Sequence, residues 1–383
     1  MLLQALQTLA NRVYLDWNAT TPLRPEAAAA MSQAMEDAGN PSSVHAEGRR
    51  ARRLIEDARC SVAKALNTDS AFVVFTSGGT ESNATALAPS LCRRGGEPVR
   101  RLLVSAVEHA SVLAGGRFAA EAIEVLPVDR QGRLDLDALA KCLRGGPSAL
   151  VSLMAANNET GAIQPVEQAA ALVHGANGIL HVDAIQMFGK IALDLNALQA
   201  DLLSISAHKL GGPKGVGALI MRDDITLPLL RGGGQERGRR AGTENVLGIA
   251  GFGAAAAAAA AEMDTVMPRV EALRDRLEAG LQAVGAVVFA AQSPRLPNTS
   301  LVSAAGLRSE TVLIALDLGG IAVSSGSACS SGKIQPSHVL AAMDVDSALA
   351  RGAIRFSLGW TTTEEDIDRA IEAWRKLPRT LLK

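Results

Sequence analysis

The sequence carries no excess of charge of either sign. Its 38 Lys and Arg residues stand against 39 Asp and Glu, a net charge of -1, so no global field draws the chain to nucleic acid or to an anionic membrane. Specific small molecules are the expected partners. Basic residues are also missing ahead of the apolar start from Met1 to Asn11, and no later stretch of about twenty residues is clear of charges and helix breakers. The expectation is a soluble, cytoplasmic protein. Cysteine is scarce: Cys60, Cys92, Cys142 and Cys329 lie far apart, without the paired spacing of a zinc site or a secreted disulfide framework. The first three sit in apolar or helical contexts and read as buried, inert thiols. Internal repeats are absent.

What is present is enough apolar sequence for more than one core. The chain has 383 residues and is 48% hydrophobic, whereas single cores seldom grow past roughly 250–300 residues. Two domains are expected: a large one over 13–253 and a smaller one over 254–383, with residues 1–12 packing on the second. Between 45 and 66, Ala51, Leu54, Ile55, Ala58, Val62 and Ala65 recur at helical spacing. Short apolar runs follow at Phe72–Phe75, Leu102–Val107, Ala149–Met154, Ile179–Val182, Leu202–Ile205 and Val216–Met221. Most are separated by enough chain for a crossover helix, the pattern of a mainly parallel sheet covered on both faces. The last run follows its predecessor through a glycine-rich turn, which suits an antiparallel pair. The large domain is therefore α/β. The alanine-rich stretch from Ala254 to Glu262, continued by Val270, Leu273, Leu277 and Leu281, predicts a long helix leading into a small α+β domain.

Three segments point to one kind of chemistry. Phe72–Phe75 runs into Thr76-Ser77-Gly78-Gly79-Thr80-Glu81-Ser82-Asn83 and then a helix-compatible stretch. Strand, glycine turn and helix make an anion cradle, with Gly79 admitting a close approach and Thr80 adding a hydroxyl. Such turns are common, and by itself this one carries little. Ile179-Leu180-His181-Val182 ends in Asp183, where ligand crevices of α/β sheets lie. Asp183 suits a pyridinium proton, and a helix-capping carboxylate is the alternative. Leu202–Ile205 leads to Ser206-Ala207-His208-Lys209 before Gly211 and Gly212. A sheltered lysine at a strand end suits Schiff-base chemistry, and a solvated turn lysine is the alternative. The order cradle, carboxylate, lysine favours a phosphate-bearing pyridine cofactor.

With those segments in place, the chain resembles the NifS-like branch of the cysteine desulfurases, class-V aminotransferase-like enzymes of fold type I that use pyridoxal 5'-phosphate (PLP). The resemblance is carried in order by Tyr14–Thr21, Gly39–His45, Ser77–Asn83, Val107–His109, Asn157–Gly161, the Asp183 and Lys209 segments, the segments 232–245 and 324–332, and Arg355–Gly359. It implies that Gly79, Thr80, Ser206 and His208 hold the cofactor phosphate and Asp183 its ring nitrogen. Asn158 and Gln186 bond near the ring hydroxyl, His109 stacks on the ring, and Lys209 binds the cofactor covalently. It also implies a homodimer with shared sites, Thr243 serving the other subunit's phosphate.

Cys329 lies in Ser324-Ser325-Gly326-Ser327-Ala328-Cys329-Ser330-Ser331-Gly332, a short polar segment bracketed by glycines, of the kind that forms surface loops. The resemblance makes it the thiol that takes sulfur from L-cysteine as a persulfide, with Lys209 and His109 as the other catalytic residues. Arg355, with Asn158, binds the substrate carboxylate. L-Alanine is the co-product, and sulfur passes to an acceptor or iron–sulfur scaffold protein for cluster assembly, nitrogenase maturation being one destination. No resident metal is expected, although Cys329 is a candidate transient ligand of an iron–sulfur cluster. A selenocysteine lyase, which depends less on the loop thiol, and a non-catalytic scaffold are the alternatives. Relative rates on the two amino acids separate the first, and lack of a yellow chromophore near ~420 nm would favour the second.

Overall fold

All six apolar runs form strands, because a strand buried on both faces needs no polar alternation. The computed structural model describes residues 12–377 except 38, 94, 145, 223–224, 227–229, 231 and 327–336, so Cys329 lies outside the described residues. A seven-stranded sheet is built from β2 (Val73–Thr76), β3 (Arg101–Ser105), β4 (Ile123–Leu126), β5 (Ala149–Met154), β6 (Ile179–Asp183), β7 (Leu202–Ser206) and β8 (Gly217–Met221), numbered after the short β1 (Val13–Tyr14). Its order is β2-β8-β7-β6-β5-β3-β4. Only β8 runs against its neighbours, as its glycine turn suggested. The edge strand β4, half exposed, was not evident from the sequence.

Strand alternation sends two sets of side chains to opposite faces. Leu103, Val151, Leu153, Leu180, Val182, Leu203 and Ile205 join one core, while Leu102, Val104, Leu150, Ile179 and Leu202 join a second. His181 and Asp183 share the face of Ile179. His181 is fully buried between Ser152 and Ser204, at 2.8 and 2.9 Å, and burial lowers its pKa to about 3.

Helices α1 (Pro25–Ala34), α2 (Ala46–Ala65), α3 (Gly79–Ala86), α4 (Leu136–Leu143) and α5 (Val166–Gly175) belong to this part of the chain. The predicted long helix, α6, spans Val246–Gln282 and begins eight residues ahead of the alanine run, capped by Asn245 Oδ1 on Gly248 N at 3.1 Å. Its length and apolar composition would let it cross a membrane. Here Ile249, Phe252, Ala255 and Ala259 pack into the first core, whereas Val270, Leu273, Leu277 and Leu281 pack into a separate one. The division expected at 253/254 therefore falls inside α6. Gly253 allows the crossing with α2: a Cβ there would lie 2.5 Å from Ala58 Cα.

The second part contains an antiparallel sheet of β9 (Val287–Val288), β10 (Thr299–Ser303), β12 (Ser324–Ser325) and β13 (Ile354–Ser357), with helices α7 (Ser309–Leu318) and α8 (Glu364–Arg375). β1 pairs in parallel with β11 (Ile321–Ala322), and Val13 and Leu15 join the core around Phe356 and Trp374. Arg12 also pairs with Asp317. The start of the described chain is thus part of the smaller unit, while residues 1–11 lie outside the description. Cys60 departs from expectation: it is exposed on the solvent side of α2, and Cys92 and Cys142 are partly buried. The residue buried beside it is Arg59, whose guanidinium clamps Glu236 with 2.6 and 2.9 Å bonds.

Candidate active site

The C-terminal ends of β2, β5, β6 and β7 converge on a cavity of about 330 Å³, at the position where open α/β sheets bind ligands. Gly79, Thr80, His109, Asn158, Asp183, Gln186, Ser206, His208, Lys209 and Arg355 all line it. The structure thus brings together every expected site residue except Thr243, which is exposed and outside the cavity, and Cys329, which lies outside the described residues.

At one end, α3 begins at Gly79 directly after the turn from β2, so its unpaired N–H groups and positive dipole end face the cavity. The turn is fixed by Thr76 Oγ1 to Ser82 Oγ at 2.8 Å and by Glu81 Oε2 accepting from Ser77 N at 2.8 Å. Arg240 holds Glu81 from the other side at 3.0 Å. Ser206 Oγ, delivered by the end of β7, is buried and has no hydrogen-bond partner among the described residues. A buried hydroxyl without a partner is costly unless a ligand supplies one. His208 lies beside it in sequence, and burial, with help from Lys209 and Lys214, lowers its pKa to about 4. It is therefore a neutral donor near pH 7.

Asp183 ends β6, only 5% exposed. Its Oδ2 accepts from Asn83 Nδ2 at 2.7 Å and its Oδ1 from Ile185 N at 3.0 Å. Burial raises its pKa, opposed by those two bonds and by the proximity of His109 and Lys209. A cation in the cavity would favour the ionised form. Asn83 also donates to Ser111 Oγ at 2.9 Å. The Ser111 hydroxyl and backbone N–H then both face His109 Nδ1, at 2.8 and 3.1 Å. The hydrogen-bond pattern makes Nδ1 an acceptor and places the neutral ring's proton on Nε2. A relay thus joins Asp183 to His109 through Asn83 and Ser111, two residues to which the sequence reading gave no role.

Lys209 follows β7 in a single turn, and its Nζ donates to the carbonyls of Asn18 and Ala19 at 2.5 and 2.9 Å. Both of these acceptors are main-chain carbonyls. Arg355 arrives from β13, only 2% exposed. Its Nη1 donates to Asn158 O at 3.0 Å and its Nη2 to Asp16 Oδ1 at 2.9 Å, while Nε is buried without a partner. Gln186 Nε2 donates to Asn18 O at 2.9 Å. Asn18 is the residue the sequence reading missed most. It lies between Tyr14 and Thr21, yet nothing local signals that its partners come from five distant segments, at Asn158, Gln186 and Lys190, Lys209, Asn298 and Thr299, and Ser357.

The aminotransferase class-V family profile matches residues 13–370. A cysteine desulfurase of Cereibacter sphaeroides is 47% identical over 371 residues, 94% of each chain, and cysteine desulfurase NifS of Azotobacter vinelandii is 45% identical, covering 94% of this chain and 90% of its own. Among solved structures, a NifS-like protein from Rickettsia africae superposes with a TM-score of 0.87 at 35% identity, covering 96% of this chain and 99% of its own. With that breadth of agreement in sequence and in fold, the chain belongs to the class-V aminotransferase family and, within it, to the NifS-like cysteine desulfurases.

Proposed function

We propose that the protein is a PLP-dependent desulfurase that transfers the sulfur of L-cysteine to Cys329 and releases L-alanine. The observation that carries this reading is the meeting of Lys209, Asp183, Ser206 and Arg355 in one cavity. The residues fit PLP: the cradle with its unpartnered Ser206 hydroxyl suits a phosphate, and the buried Asp183 suits a protonated ring nitrogen. Gly79, Thr80, Ser206 and His208 would hold the phosphate, Asp183 the nitrogen, His109 the ring face, and Lys209 the covalent bond, with Asn158 and Gln186 near the ring hydroxyl. When bound, PLP supplies an electron sink for the substrate carbon.

The protein's residues do the rest. Arg355, preset by Asn158 and Asp16, clamps the α-carboxylate. Lys209, as a free amine beside the substrate, would take the Cα proton. The Cys329 thiolate forms an S–S bond to the substrate sulfur as the C–S bond breaks. The C–S electron pair stays with carbon and is protonated, so L-cysteine and a thiol give L-alanine and a persulfide. His109 moves the proton at the sulfur through Nε2. We further propose a homodimer in the cytoplasm: Thr243 is exposed and away from its own cavity, as a residue serving the other subunit requires. The persulfide then passes to an acceptor or iron–sulfur scaffold protein.

The test is the purified protein's spectrum and its products. A band near ~420 nm and equal release of alanine and sulfide from L-cysteine with a reductant, both lost in Lys209→Ala, are expected. A colourless protein, or alanine without sulfide, would overturn the reading.

A further inference from the structure

Lys190 carries a buried amine that none of these steps uses. It is 6% exposed, and its Nζ donates to Asn18 Oδ1 at 3.0 Å and to Gln186 Oε1 at 2.9 Å. Both partners are amides, so neither repays the cost of burying a charge as a carboxylate would. Burial, together with nearby Lys209 and Arg355, holds its pKa well below the usual lysine range. Stability alone does not favour such a group, and its position suggests what does.

Nζ donates to an amide oxygen in both contacts, so each contact fixes which way that amide points. With its Oδ1 turned to Lys190 and to Asn298 Nδ2 at 3.1 Å, Asn18 directs its Nδ2 to Thr299 Oγ1 at 2.9 Å and to Asn158 O at 3.2 Å. Asn158 O is the same carbonyl that receives Arg355 Nη1. With its Oε1 turned to Lys190, Gln186 directs its Nε2 to Asn18 O, the carbonyl that receives Lys209 Nζ. Lys190 therefore stands behind one carbonyl on each of the two substrate-handling side chains, Asn18 O on Lys209 and Asn158 O on Arg355. We propose that Lys190 is a positioning residue: by fixing the amides of Asn18 and Gln186 it keeps Lys209 and Arg355 in register, and so sets the spacing between the groups that meet the substrate's amine and its carboxylate. The inference rests on the desulfurase reading above.

The charged groups around this network are Lys209 and Arg355 beside Lys190, Asp16 on Arg355, and Asp183, His208 and Lys214 around Lys209. The test uses the holoenzyme and its Lys190→Met and Lys190→Arg variants, and reads kcat, KM for L-cysteine, and the pH at which the visible band is lost. Lys190→Met should raise KM about tenfold with a smaller change in kcat. It should also move the pH at which the band is lost, by about one unit, because the Asn18 carbonyl that receives Lys209 Nζ is no longer fixed through Gln186. Lys190→Arg, which keeps charge and donors, should fall between wild type and Lys190→Met on both readings. Unchanged KM and band pH in Lys190→Met, or a lowered melting temperature alone, would overturn the proposal and leave Lys190 a structural residue. If Lys190→Met fails to fold, the same readings on Lys190→Gln decide. A wild type without the band or without sulfide release defeats the parent reading instead, so the two failures are distinguishable.

Discussion

Replacing Arg355 by lysine keeps the charge but removes the shape of the clamp, and the structure sets the size of the effect. A guanidinium has five N–H donors. Asn158 O and Asp16 Oδ1 each take one, and the remainder, including the unpartnered Nε, are available to a carboxylate. An ammonium has three donors, so with the same two partners satisfied only one is left. The substrate loses at least one charge-assisted hydrogen bond, about 1.5–3 kcal/mol, which corresponds to roughly 10- to 150-fold in kcat/KM. Most of the loss should appear in KM, since the carboxylate is bound in ground and transition states alike. The assay is steady-state alanine release against L-cysteine concentration for wild type and Arg355→Lys, with the visible spectrum as a check on the cofactor. A KM within about threefold of wild type, with the spectrum retained, would refute the assignment of Arg355 as the carboxylate clamp.

Three further outcomes follow from the same coordinates. Arg59→Met leaves Glu236 buried at 3% exposure with its carboxylate accepting from Phe75 N at 3.0 Å, and should cost about 3–5 kcal/mol in denaturant unfolding; a loss below about 1 kcal/mol would contradict the buried-pair account. Glu108 is fully buried and its Oε2 has no partner, so burial raises its pKa well above the usual range. The native state then binds its proton more tightly than the unfolded state, and stability falls as pH rises from the unfolded carboxyl value towards the folded one. Glu108→Gln should lose that dependence and gain on wild type as pH rises above the unfolded carboxyl value, whereas parallel denaturation midpoints on rising pH would rule it out. Gly253→Val should lower stability by about 1–3 kcal/mol by forcing α2 and α6 apart at Ala58; an unchanged melting temperature would show that the crossing yields freely.

Much of the fold was legible because its strands are buried on both faces. Ala149–Met154, Ile179–Asp183 and Leu202–Ser206 are mostly apolar stretches, each interrupted by one internal polar residue, and the last two end in Asp183 and Ser206, so those strand ends, and with them Asp183 and Lys209, could be located without any tertiary information. Strand β4 escaped because an edge strand with mixed burial has no such run. The first turns of α6 escaped because Gly248, Gly251 and Gly253 argue against a helix locally, and only the approach of Ala58 shows why a small residue is needed there. Arg59 and Lys190 look like surface cations in sequence. Their partners, Glu236 and Asn18, are 177 and 172 residues away, and a contact of that range leaves no local pattern. The Asp183–Asn83–Ser111–His109 relay was hidden for the same reason, although each member sits in or beside a segment that was singled out.

The central claim is that sulfur leaves L-cysteine by way of Cys329. Its most direct test measures alanine and sulfide release from L-cysteine, in the presence of dithiothreitol, for wild type and Cys329→Ala. Wild type should yield the two in equal amounts, and the variant should yield neither while keeping its visible band. A Cys329→Ala protein with full activity would contradict the account, since sulfur would then leave without that thiol and a lyase mechanism would take its place.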